Sequence, residues 1–192
     1  AADTQRTRNL MSHATNKAAL FTSKSDIFLT PPHILDAVCQ VGPIDFDPCP
    51  HPVAEATRRA RRHNPYPIVD GLKTPWARYQ RDQGVTFVNP PYGRVLSQWA
   101  DKMASETGNA IICIVPARVE TRWWQTLAKH TVAWCAIGGR LKFYDERGAE
   151  TPHSAPFPSA VCLLHRSELL SQFQRSFEPL GIVYVQPGLR VQ

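Results

Sequence analysis

Apolar positions along the chain change period repeatedly. Runs rich in β-branched residues stand at Val85–Val88, Ile111–Val115, Thr131–Ile137, Ser159–Leu164 and Ile182–Val185. Each predicts a strand, and the unbroken Ile111–Val115 run predicts a central one buried on both faces. A shorter run, Ile44–Asp47, stops at Pro48-Cys49-Pro50-His51-Pro52, which predicts a strand halted by a proline-rich turn. Helical spacing intervenes. Ile34, Leu35 and Val38 follow Thr30-Pro31-Pro32, which predicts a helix capped by Thr30 with prolines in its first positions. Val53–Arg62, Arg94–Glu106, Glu120–Lys129 and Ser167–Phe177 predict further helices. Strands alternating with helices predict an α/β fold, a compact single domain in three layers. Residues 1–24 show no sustained period and are expected to form a flexible N-terminal arm, with one helical turn around 16–21, leaving 25–192 as the domain.

Composition fits one ordinary globular domain: 192 residues, 43% hydrophobic and 20% charged. The net charge of +6 and a sequence pI near 9.3 favour a polyanionic partner over an acidic surface. Five cysteines with no CxxC pair argue against a disulfide framework and for a reducing compartment; four of them stand in apolar runs as small hydrophobes. Neither they nor the histidines have metal-ligand spacing, so no metal is expected. No apolar run is long enough for a membrane span and no hydrophobic signal segment is present, which predicts a cytoplasmic protein.

The chemistry concentrates where Val85–Val88 breaks into Asn89-Pro90-Pro91-Tyr92. Two prolines end the strand and stiffen the loop at its carboxyl end, where open α/β sheets place ligands. The Asn89 amide oxygen and the Pro90 carbonyl are two acceptors suited to the hydrogens of a planar amine, beside the Tyr92 ring. Such acceptors hold an amine nitrogen in line with a methyl donor without a titrating base.

With these residues the chain resembles the S-adenosylmethionine-dependent amino-methyltransferases, and among them the compact phage and prophage Dam-type DNA N6-adenine methyltransferases. The similarity runs through Leu29–Pro32, Phe46–Cys49, Asp70–Leu72, Val88–Arg94, Val115–Trp124, Gly139–Phe143 and Ala155–Val161, in order, over roughly residues 25 to 165. It implies a Rossmann-like methyltransferase fold, in a bacterial host cell. It also implies that Thr30 and Pro31 embrace the methionine moiety of the cofactor, that Asp47, Pro48 and Cys49 form the cofactor loop after the first strand, and that Asp70, with Ile68 nearby, lies along the adenine. Asn89, Pro90, Pro91 and Tyr92 then hold the target base, and Tyr92 or Trp76 offers a ring face to the cofactor's sulfonium. The chain departs from most such enzymes after the first strand, where prolines replace a glycine-rich turn. No acidic residue ends a second strand, and Glu55 is the nearest candidate for the ribose.

Arg94, Arg118 and Arg140 each follow a strand end and, with Arg122 and Lys142, are expected to meet DNA phosphates. The Arg58, Arg59, Arg61 and Arg62 run either does the same or is a solvated helix face. A target adenine must be extruded or single-stranded, and Phe143 or Tyr144 is expected to stack on its far face unless either packs on the core. No segment remains for a separate target-recognition domain, which predicts short or relaxed sequence preference in a monomer or homodimer. A glutamine amide is also a planar amine, so protein-glutamine methylation is an alternative. Cytosine amino-methylation more often begins this motif with Ser or Asp. A degenerate module that binds DNA without turnover is the reading of a different class.

Overall fold

The computed structural model of the protein describes residues 27–64, 70–79, 81 and 83–188. The expected arm at 1–24 and Ile68 lie outside the described residues. In chain order the elements are α1 (Pro32–Val41), β1 (Ile44–Asp47), α2 (Glu55–Arg59), β2 (Arg62–His63), β3 (Val85–Val88), α3 (Leu96–Ser105), β4 (Ile111–Pro116), α4 (Arg122–Ala128), β5 (Thr131–Ile137), β6 (Ser159–Leu164), α5 (Leu170–Phe177) and β7 (Gly181–Val185). The strands form one mixed sheet in the order β2-β1-β3-β4-β6-β5-β7. The first four in that order are mutually parallel, and β6 runs antiparallel to both β4 and β5. It follows that β1 to β5 all end on the same rim. β7 closes the far edge antiparallel to β5.

Strand alternation sorts the core into two layers. Val85, Phe87, Ile112, Ile114, Val161 and Leu163 face α1 and α5, where Ile34, Leu35, Val38, Phe173 and Phe177 are buried. Their neighbours Val88, Ile111, Cys113, Val115 and Cys162 face α3 and α4, against Trp99, Met103, Trp124 and Leu127. Helices on both faces of a central sheet make the three layers that the sequence predicts. Among the described residues, no helix is long and apolar enough to cross a membrane.

Three local expectations are corrected. Thr30 does not cap α1: Pro31 takes the cap position in extended conformation and its carbonyl accepts the Ile34 amide at 3.1 Å, so the Thr30 hydroxyl is left over. The helix expected over 53–62 is only α2, and Arg62–His63 is a strand. Ala60 turns extended, the Arg61 amide donates to the Ile44 carbonyl, and the Arg61 guanidinium reaches Asp45, so the chain is drawn alongside β1. Cys39, expected in the core, is exposed on α1.

Asp45 is the polar anchor of this corner. It is buried, accepts from Arg61 Nη1 at 2.9 Å, and accepts the Arg81 amide at 2.7 Å. One carboxylate thereby ties β1, β2 and the approach to β3. Asp45→Ala is expected to cost about 2–4 kcal/mol in urea denaturation, since two donors lose a charged partner. Arg61→Ala, with half its side chain exposed, is expected to cost under about 1 kcal/mol. Equal losses in the two variants would overturn the role given to the Arg81 amide.

Candidate active site

β1 has β2 on one side and β3 on the other, so the chain's path reverses there, and a crevice opens beyond the strand ends. A cavity of about 370 Å3 fills it, within the range of small-molecule sites. The ends of β1 (Asp47) and β3 (Asn89) form its floor, the 27–30 segment one wall, and Asp70-Gly71 with Trp99 another. Thr30, Asp47, Pro48, Cys49, Asp70, Asn89, Pro90, Pro91 and Tyr92 all line it, so the expected cofactor and acceptor residues share one space except Pro31, which does not line the cavity.

On the β1 side, the proline-rich loop is built by side chains rather than by glycine. Asp47 Oδ1 accepts the Cys49 amide at 2.9 Å, a turn closed by the Asp side chain itself. Its Oδ2 accepts the Thr57 hydroxyl at 2.7 Å, and Thr57 Oγ1 in turn accepts the His51 amide at 3.0 Å. From the end of β2, Asn64 Nδ2 donates to the Pro48 carbonyl at 3.4 Å. Gly71 packs against the same carbonyl so closely that a Cβ would lie 2.2 Å from it, and the Trp76 indole N–H donates to the Gly71 carbonyl at 2.9 Å. Burial raises the Asp47 carboxyl to about 6, although Thr57, the Cys49 amide and His63 pull the other way. Thr30 is 4% exposed and its hydroxyl has no hydrogen-bond partner, a donor with nothing to satisfy it in the cavity wall.

On the β3 side, Asn89 Nδ2 donates to the Phe28 carbonyl at 2.6 Å. That bond fixes the flip of the amide, because the opposite flip would set oxygen against oxygen. Asn89 Oδ1 is therefore the atom left for a ligand's donor. Tyr92 donates its hydroxyl to the Ile114 carbonyl at 3.3 Å, which holds the ring against the end of β4. Phe28 stacks on Tyr92, with ring centroids 5.5 Å apart and planes 21° from parallel. Phe157 and Phe143 meet both rings edge-on. Burial pushes the Tyr92 phenol and the Cys49 thiol well above their usual ranges and lowers the His51 imidazole, so all three stay neutral near pH 7.

Other expected residues are placed differently. Trp76 is fully buried and does not line the cavity; Trp99 does, through the ring that packs on Gly71. Glu55 is held by Arg58 and Arg59 and stands outside the cavity, so it is no ribose partner here. The same pairs, with Asp36 on Arg59 and Asp45 on Arg61, neutralise most of the basic run at 58–62. Phe143 is 1% exposed and presents no open face, while the Tyr144 main chain pairs with Leu29 through two 2.9 Å bonds. Arg94, Arg118 and Arg140 follow β3, β4 and β5, on the rim where those strands end; with Arg122 they are exposed and form no ion pair among the described residues. Lys142 is exposed and pairs with Glu150 at 3.5 Å.

The cavity thus has two carboxylates and no Lys or Arg among its described lining residues, inside a protein of net charge +6. Asp70 is half exposed and pairs with Lys73 at 3.8 Å, so it is chiefly the buried Asp47 that makes the cavity favour a cationic ligand over an anionic one. A buried carboxylate, the spare Thr30 hydroxyl and flat apolar walls suit a ligand that combines a cation, a hydrogen-bonding group and a flat ring. Sequence reasoning missed Thr57, Trp99, Phe157 and Phe28. Phe28 alone left a signal, as the aromatic in the apolar triplet Ile27-Phe28-Leu29 before Thr30.

Because the folded Asp47 binds its proton more tightly than an ordinary aspartate, its stabilising contribution is full below pH 4 and is lost as pH rises through about 6. Asp47→Asn is therefore expected to stabilise the protein by about 1–3 kcal/mol at pH 8, with no gain at pH 4. Affinity for a cationic ligand falls below pH 6 in the wild type and is weak at all pH in the variant. A variant less stable than wild type at pH 8 would sink this account of the carboxylate. No model of a known protein family matches the chain and no curated protein matches it in sequence, so its chemistry is read from the cavity itself.

Proposed function

We propose that the protein transfers a methyl group from S-adenosylmethionine to the N6 amine of adenine in DNA, on a Rossmann-like methyltransferase fold and with short or relaxed sequence preference. The observation that carries this reading is Asn89, whose amide the Phe28 carbonyl orients so that its oxygen is left for a ligand, lining the same cavity as Asp47. Bound on the β1 side, the cofactor supplies an electrophilic methyl group on a sulfonium. Thr30 offers its hydroxyl to the cofactor's carboxylate, and Asp47 and Asp70 favour its cationic and hydroxyl-bearing parts.

Asn89 Oδ1 and the Pro90 carbonyl accept the two amino hydrogens of the base. They turn the nitrogen lone pair out of conjugation with the ring and hold it in line for attack. Neither acceptor is a base, and Tyr92 and Cys49 stay protonated, so the surplus proton of the methylated amine passes to water. Tyr92 stacks on the base. Asp47 and Asp70 argue against a nucleotide cofactor, whose phosphates they would repel. A glutamine amide could meet the same two acceptors, but four exposed rim arginines with no acidic partner among the described residues favour a polyanion over a peptide.

Tritiated methyl donor offered to DNA, RNA and protein, followed by nucleoside analysis, tests the proposal. Label is expected in 6-methyladenine, and Asn89→Ala is expected to reduce it at least about 100-fold. Label in glutamine, or in nothing, would overturn it. Arg140→Ala is expected to weaken DNA binding and to lower the slope of log affinity against log salt by about 1. An unchanged slope would remove Arg140 from the phosphate contacts.

A further inference from the structure

The 27–30 segment is clamped from both sides. Asn89 Nδ2 holds the Phe28 carbonyl at 2.6 Å, and Leu29 exchanges two 2.9 Å main-chain bonds with Tyr144. The Phe28 backbone therefore cannot move without breaking three hydrogen bonds. Its ring is a different matter. It is half-buried, lines the cavity, packs on the edge of the core, and among the described residues makes ring contacts with Tyr92, Phe143 and Phe157.

That ring lies on Tyr92 at a centroid distance of 5.5 Å. A flat acceptor sandwiched between the two rings would need their faces about 7 Å apart, twice an aromatic stacking distance. No such gap exists. The acceptor nitrogen must also reach Asn89, whose amide is bonded to the Phe28 main chain, so the acceptor and the Phe28 ring compete for the same corner of the cavity beside Tyr92.

We infer that the Phe28 ring is a specificity gate: it occupies the acceptor's place on Tyr92, and the acceptor enters by exchanging its own ring for that of Phe28. The inference rests on the acceptor chemistry proposed for Asn89 and Tyr92. Rotation about the Phe28 side-chain bonds clears the slot while the carbonyl keeps Asn89 oriented, so opening does not dismantle the catalytic amide. A nucleobase replaces one aromatic stack by another at little net cost. An aliphatic amide leaves the Tyr92 face bare and cannot compensate. The gate thus favours an unstacked base over a glutamine side chain.

Steady-state methyl transfer to a mixed-sequence single-stranded DNA tests this in wild type, Phe28→Ala and Phe28→Leu. Phe28→Leu keeps most of the apolar bulk and so the fold, but lacks the flat face. In both variants the KM for DNA is expected to fall about 2- to 10-fold, the factor one aromatic pair is worth. The expected kcat stays within about twofold, because no group touching the reacting nitrogen is removed. The KM for the cofactor stays at its wild-type value. A raised KM for DNA would make Phe28 a wall of the acceptor site and overturn the gate, as would an equal change in the cofactor KM or unchanged constants throughout. A wild type that labels no DNA removes the proposed activity and the gate together; an active wild type with unaltered variants removes the gate alone.

Discussion

The hydrogen bond from the Asn89 amide to the Phe28 carbonyl joins two segments 61 residues apart and fixes the working geometry of the crevice. It orients the amide, closes the 27–30 segment over the strand ends, and brings the Thr30 hydroxyl to the cavity that Asp47 floors. Side-chain amides are free to flip by a half turn, and only such a partner makes one of their atoms a dependable acceptor. The two prolines after Asn89 serve the same end, because they restrict the loop that carries it. Pre-organisation in this site comes from one carbonyl and two rings rather than from a rigid helix or strand.

The β1 loop reaches a comparable rigidity by another route. A glycine-rich turn lets main-chain amides approach a ligand but loses more entropy on folding. Here Pro48, Pro50 and Pro52 lower that loss, and Asp47 and Thr57 satisfy the amides of Cys49 and His51. The glycine that remains essential is Gly71, on the opposite wall, where the Pro48 carbonyl leaves no space for a side chain. The close approach has moved from the loop to its neighbour. Burying Asp47 is the cost of this design, since its carboxylate does structural work on both oxygens and still faces the cavity.

Much of the sheet was legible in the sequence. Val85–Val88, Thr131–Ile137 and Ser159–Leu164 keep the bounds their apolar runs predict, because strands buried on both faces leave unbroken hydrophobic runs. The convergence of Asp47 and Asn89 on one cavity follows from strand ends alone, whereas Asp70 stands in the loop after β2 and was legible only through the resemblance. What failed was set by tertiary partners. Arg61 and Arg62 read as helix by composition, but Asp45, sixteen residues before Arg61, captures one and β1 pairs with the other. Thr30 reads as a cap, but Pro31 takes the cap position in extended conformation and leaves Thr30 one residue outside the helix. Trp76 and Trp99 are alike as letters, and only packing around Gly71 decides that Trp99 reaches the cavity. Phe28 marks the limit most clearly, since its ring contacts come from three segments distant in sequence.

The charges of the molecule are sorted in depth. Carboxylates of Asp47 and Asp70 stand in the crevice, and Arg94, Arg118, Arg122 and Arg140 stand on the exposed rim without acidic partners among the described residues. Past the rim a cation meets the buried carboxylate of Asp47, which solvent screens little, and that of Asp70, which is half exposed and shared with Lys73. On the proposed function, a polyanion would be held at the rim and repelled from the floor, and a neutral flat ring attached to it would descend to Asn89 while its phosphates stay with the arginines. Phe28 then adds a third filter that charge cannot supply, selecting by the shape of the face that lies on Tyr92.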